Sequence, residues 1–301
     1  MTGNIFQTLI VSFKKFNDDH CWTAAIVISY FALLCLVPLI ALFAFLAVKV
    51  MGSSEVFFRS LNVFTEDFFV KMDPSFFKKL QALGGNISNL GWFGFLGSLV
   101  AASLLFSNLI STLNRIFKAK TQRSFFYNRL IEYVVMLLVG VILLLSISIT
   151  AVWAALQRSI RESTVLSEFI NPKIIDIFNN FFFQYALPLG LTFLVLFALY
   201  KFIPEVKVHT RSALIGAAVA SILWEIFKRG FAFYVIHLSA VGMVLSKMLA
   251  GTLTSVIFFL LWISSSLIIL LWGAELAAVS NEYLERLASQ KSSGKIDQAV
   301  S

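Results

Sequence analysis

Glu225, Lys228 and Arg229 are the residues of this chain best placed, by type and spacing, to do chemistry. They stand in the run Trp224-Glu225-Ile226-Phe227-Lys228-Arg229, inside a long apolar segment. On a helix Glu225 lies three positions before Lys228 and four before Arg229, so one carboxylate and two cations share a face and can pair. Ionisable groups at membrane depth are costly and mark ion paths, relays or headgroup contacts. Two readings stand side by side. In one, the trio faces a water-filled cavity and grips a charged headgroup or ion. In the other, it is a self-satisfied cluster that fixes helix packing. Glu275, in Trp272-Gly273-Ala274-Glu275, ends a later apolar run, where an interfacial salt bridge to a basic loop residue such as Arg115 is expected. Asn114, next to Arg115, is expected to help fasten that loop.

Residue types for other chemistry lack the necessary spacing. The three histidines, His20, His209 and His237, are scattered along the chain, and no metal-ligand pattern links them. Cys21 and Cys35 imply neither a metal site nor a disulfide framework. There is no nucleophile elbow and no phosphate-cradling glycine loop. No aromatic platform interleaves with the basic loop, as single-stranded nucleic acid would require. No catalytic residue, metal, cofactor or nucleic-acid partner is therefore expected, and the chain is not read as an enzyme.

The elements that must position the trio are long apolar runs. Of 301 residues, 59% are hydrophobic and only 13% charged, and the mean hydropathy is +0.86. Soluble domains sit near 45–50% apolar and about 25% charged. Runs of helix length recur at about 24–48, 90–113, 131–156, 181–203, 213–236 and 249–279, and about 20 residues cross the hydrocarbon core. The runs are continuous, unlike the alternating strands of an outer-membrane barrel. The fold class expected is an all-α integral membrane protein of six transmembrane helices. Residues 1–23 are expected as a cytoplasmic N-terminal segment, 24–280 as the membrane domain and 281–301 as a disordered cytoplasmic tail. The first run is far longer than a signal-peptide core and is expected to be an uncleaved anchor, tilted or kinked at Pro38. Gly91, Gly94 and Gly97 offer a small-residue face for close helix packing. Between 50 and 89, charges mixed with phenylalanines at helical spacing suggest amphipathic helices in the first extracytoplasmic loop.

Orientation follows from the basic residues. Arg115, Lys118, Lys120, Arg123 and Arg129 join the second and third runs with no acid among them, which places that loop in the cytoplasm. Lys14 and Lys15, the 201–211 connector and the residues after the last run agree. Both termini are expected inside, and the net charge of +8 is read as positive-inside bias.

Several stretches resemble the YihY/BrkB family of bacterial inner-membrane proteins. They are Ala24-Ala25, Ser29-Tyr30-Phe31 and Pro38; then Gly91, Gly94, Gly97 and Leu113-Asn114-Arg115-Ile116. Next come Leu199-Tyr200-Lys201-Phe202-Ile203-Pro204, Arg211-Ser212-Ala213-Leu214-Ile215-Gly216-Ala217 and Trp224-Glu225. Phe259-Leu260-Leu261-Trp262 and Gly273-Ala274-Glu275-Leu276 close the series. The resemblance departs at Ala250-Gly251-Thr252-Leu253-Thr254, where relatives often read Tyr-Gly-Ser-Leu-Gly. It implies a six-helix fold in the cytoplasmic membrane and no settled activity. Some members have carried a ribonuclease label, which the residues here do not support. Transport or flipping of a lipid or other amphiphile in envelope biogenesis is the function expected first. A non-transport role in envelope structure or assembly is the alternative, and a membrane-anchored ribonuclease ranks last. Membrane lipids are the expected partners, joined by envelope proteins in the second case.

Overall fold

The computed structural model describes residues 2–35, 91–119, 179–234 and 252–300, with isolated helical positions between 130 and 141. Among these residues every regular element is helical and no strand occurs. Helix α1 is Thr2–Asp18 and α2 is Cys21–Cys35. Helix α3 is Gly91–Ile116, α4 is Leu187–Phe202, α5 is Thr210–Phe233 and α6 is Thr252–Val300.

Local chemistry sets the breaks. His20 takes a left-handed φ of 54° between α1 and α2, and its N–H bonds back to the Asn17 carbonyl at 3.1 Å. Lys118 does the same after α3, with φ 51°. There the Lys118 N–H reaches Arg115 O and the Ala119 N–H reaches Asn114 O, the paired bonds of a Schellman cap. Pro188 lies in the first turn of α4, just after a π-helical segment, Asn179–Ala186. A proline lacks an N–H and crowds the preceding turn, and the wider π turn upstream relieves that conflict.

Two stretches are long and apolar enough to cross a bilayer: Thr210–Phe231 in α5, 22 residues, and Val256–Leu287 in α6, 32 residues. Cys21–Cys35 and Leu187–Phe202 are apolar but shorter. Ile26, Val100, Leu194 and Ile226 are large apolar side chains left exposed. Such surface needs an apolar solvent, and lipid supplies it.

Helices α3, α5 and α6 fall within three residues of the expected starts at 90, 213 and 249. Pro38, the second half of the first expected span, nearly all of the third, and the amphipathic loop of 50–89 lie outside the described residues. One expectation is corrected. Residues 281–300 of the segment 281–301, read as a disordered tail from its polar composition, continue α6 as helix. Asn281 is buried there, and its Nδ2 donates to Glu285 Oε1 at 2.9 Å, one turn on. Polar residues that find partners hold a helix as well as apolar ones do.

The chain divides into two compact units. The first comprises Met1–Ser12, Leu113–Ile222 and Gly273–Ser301. Its core is a close approach of α5 and α6. A methyl group placed on Gly216 would lie 2.5 Å from the Gly273 carbonyl oxygen and 2.7 Å from the Ala277 methyl. One on Gly273 would lie 2.5 Å from the Ala220 methyl and 2.6 Å from Tyr200 Oη. Ala213, Ala217 and Ala220 of α5 are fully buried, as are Ala274 and Ala277 of α6. Small side chains let two backbones meet where apolar burial alone gives helices in lipid little drive to associate.

The second unit comprises Phe13–Thr112 and Leu223–Trp272. Ser264 Oγ of α6 donates to Ser29 Oγ of α2 at 2.9 Å, and Ser29 Oγ donates on to the Ile26 carbonyl at 2.7 Å.

Candidate functional site

The second unit holds the charged trio near the end of α5. Glu225 is 15 positions along from Thr210, about 22 Å at 1.5 Å per residue. Lys228 Nζ lies 2.8 Å from Glu225 Oε2 as an ion contact. Arg229 donates from Nη2 at 3.1 Å and from Nε at 3.3 Å to Glu225 Oε1. The carboxylate thus holds one cation on each oxygen. Glu225 and Lys228 are mostly covered, with side chains 13% and 22% exposed, whereas Arg229 is 47% exposed. One carboxylate thus engages two cations, and Arg229 is the most exposed of the three.

An aromatic cluster occupies the neighbouring face of the same helix. Trp224, Phe227 and Phe231 recur at i, i+3 and i+7, and all three meet Trp262 of α6. Ring centroids lie 6.2, 5.3 and 5.1 Å from Trp262, which is 5% exposed. Lys228 Nζ also sits 5.5 Å from the Trp224 ring centre, a cation–π distance. Burial of Trp262 therefore fixes the rotation of α5, and that rotation fixes where the charges face.

A second feature of this unit is an apolar groove of about 440 Å³. It is lined by Phe31 and Leu34 of α2 and by Leu96, Gly97, Val100, Ala101 and Leu104 of α3. Gly97 and Ala101, one turn apart, lack the bulk to fill it. Of the small-residue face expected on α3, Gly97 is the member placed in this lining; the surroundings of Gly91 and Gly94 lie outside the described residues.

The first unit carries a polar junction that sequence reading found only in part. Asn114 bonds with Glu205 twice: its Nδ2 donates to Glu205 Oε1 at 3.3 Å and its Oδ1 accepts the Glu205 N–H at 3.0 Å. The His209 N–H donates to Asn281 Oδ1 at 2.7 Å. Lys118 pairs with Glu282 at 3.3 Å, and Lys201 Nζ donates to the Val208 carbonyl. The end of α3, the 203–209 connector and α6 are joined in this way. Asn114, at the start of the basic loop, has Glu205 of the 203–209 connector as its partner. Glu275, expected to pair with a basic loop residue such as Arg115, is completely buried, while Arg115 is exposed; Lys118 of the same loop pairs with Glu282 of α6. Lys118 reaches Glu282 because its left-handed φ turns the chain at the α3 cap. Asn281, Glu282 and Glu285 went unread because they follow the last apolar run; their i, i+1, i+4 spacing on a continuing helix was the available signal.

No group of three His, Cys, Asp or Glu among the described residues is arranged to hold a metal ion. The family model described as virulence factor BrkB matches residues 12–297. A UPF0761 membrane protein of Pseudoalteromonas atlantica is 28% identical over 282 residues, covering 92% of this chain and 86% of that protein. One from Pseudoalteromonas translucida is 30% identical over 275 residues, covering 89% and 84%. Another from Alteromonas mediterranea is 28% identical over 287 residues, covering 94% and 90%. No solved structure matches. With helices as the regular elements among the described residues, bilayer-length apolar helices and a family match over nearly its whole length, the chain belongs to the BrkB family of membrane proteins.

Proposed function

We propose that this protein transports or flips a lipid or other amphiphile across the bacterial cytoplasmic membrane, with six spans and both termini inside. The observation that carries the reading is the charged cluster of Glu225, Lys228 and Arg229, with Arg229 its most exposed member, on a helix long enough to cross a bilayer. An anionic headgroup entering beside Arg229 competes with Glu225 for the two cations. Glu225 keeps those cations in place when no headgroup is present and gives the headgroup a rival that promotes its release. The apolar groove of the same unit offers a surface suited to an acyl chain. With α5 running outward from a cytoplasmic Thr210, the trio sits toward the outer leaflet, where a headgroup completes its passage.

A specific observation also favours a scaffold role in envelope assembly. Glu225 already engages both cations, so the cluster can serve packing alone. The experiment that separates the two is reconstitution of purified protein into phosphatidylethanolamine–phosphatidylglycerol vesicles with a headgroup-labelled phospholipid. The transport reading expects faster exposure of inner-leaflet label than in protein-free vesicles, and slowing by Lys228→Gln and Arg229→Gln. Label movement no faster than in empty vesicles, across several envelope lipids, refutes it.

A further inference from the structure

Helix α1 precedes the first apolar span and plays no part in the trio or the groove. Its face pattern is unusual for a segment destined for water. Ser12 and Phe16, four positions apart, are buried. Ile10 and Phe13, three apart, share the adjoining face and are 55% and 59% exposed. Exposed Lys14 flanks them. The helix then stops at the left-handed His20, and α2 begins at once with Trp22, which is exposed and packs edge-on to Phe16 at 5.4 Å between ring centres. Ile26, Val27 and Tyr30 continue the exposed apolar surface along α2. Phe16 is thus covered by protein, while Ile10 and Phe13 stay exposed on the same helix that leads into the exposed apolar surface of α2.

We infer that α1 is an interfacial helix, lying in the phospholipid leaflet with Ile10 and Phe13 inserted at the headgroup–acyl boundary. The occupant of this face is the lipid leaflet itself. Apolar exposure on α1 is continuous with that of α2, and Trp22 stands at the junction, where aromatic rings favour the membrane–water boundary. Lys14 extends its stem over the apolar edge and its ammonium into the headgroups. Charge selectivity is not built in: Lys14 and Lys15 are balanced by Asp18 and Asp19. Insertion therefore rests on apolar burial, and lipid charge should matter little. This inference is independent of whether the protein transports anything.

The test uses the full chain in nanodiscs, with a spin label attached to a cysteine placed singly at positions 10, 11, 13 or 18. Wild-type protein, whose Cys21 and Cys35 are buried, is the labelling control. Val11 is the informative comparison, being apolar and exposed but turned about 100° from Ile10 and about 160° from Phe13. At 10 and 13 the label should be reached by oxygen more than by a water-soluble nickel chelate, and at 11 and 18 the order should reverse. The pattern should be the same in phosphatidylcholine and in a phosphatidylcholine–phosphatidylglycerol mixture. Should the cysteine at 13 prevent folding, the label at 10 decides alone. Equal nickel access at all four sites overturns the inference. So does protection of 10 and 13 from both reagents, which would mean that a second protein surface covers them.

Discussion

The contact of Gly216 with Gly273 makes a prediction whose size can be worked from distances. Carbon atoms rest about 3.5–4.0 Å apart. A methyl on Gly216 would stand 2.5 Å from a backbone oxygen and 2.7 Å from the Ala277 methyl. Neither atom can retreat without separating α5 from α6, because one belongs to the α6 backbone and the other is attached to it directly. Overpacking of this kind costs about 1–3 kcal/mol, and the rigid neighbours argue for the upper end. Alanine in place of glycine returns about 1 kcal/mol of helix propensity. Gly216→Ala should therefore lose about 2 kcal/mol net, and Gly273→Ala a similar amount against Ala220 and Tyr200. Gly190 and Gly230 supply the control, since a methyl there meets nothing within 4 Å. Gly190→Ala and Gly230→Ala should gain about 0.5–1 kcal/mol. Thermal unfolding of the detergent-solubilised protein, followed by fluorescence, orders the four variants. The double variant Gly216→Ala/Gly273→Ala should fall short of the sum, because the two sites touch. If Gly216→Ala melts no lower than Gly190→Ala, the close approach of α5 and α6 is wrong.

Other expectations are open to the same unfolding assay. Trp262→Ala should lose about 3–5 kcal/mol, since it empties the position against which Trp224, Phe227 and Phe231 pack. Asn281→Ala strips the His209 N–H of its acceptor and should cost about 1–3 kcal/mol. A chain ended after residue 290 should keep wild-type stability, whereas one ended after residue 280 loses Asn281, Glu282 and Glu285 and should melt lower. Ser264→Ala should cost only about 0.6 kcal/mol, the size typical of polar contacts between helices in lipid.

How much of this the residues announce depends on how local the physics is. The Glu225, Lys228 and Arg229 contacts are readable from spacing, because i, i+3 and i, i+4 neighbours meet on any helix. The extents of α3 and α5 follow from apolar run length for the same reason. Asn114 and Glu205 are 91 positions apart, and His209 and Asn281 are 72 apart. Their pairing depends on how helices pack, which no periodicity encodes. Glu275 ends an apolar run, where a charge is ordinarily interfacial; its complete burial depends on how helices pack, which run length does not report. The glycine face that mattered most was Gly216 with Gly273, one glycine on each of two helices, and a seam shared between helices shows no repeat within either.

The measurement closest to the central claim is lipid movement by Glu225→Gln with thermal stability read on the same preparation. Glutamine keeps the shape but removes the charge and turns one accepting oxygen into an NH2 donor, so it can accept from only one of Lys228 and Arg229. The transport account predicts a folded protein whose melting temperature stays near wild type and whose lipid movement is lost. Wild-type rates of lipid movement in that variant would contradict it and leave the trio as packing alone.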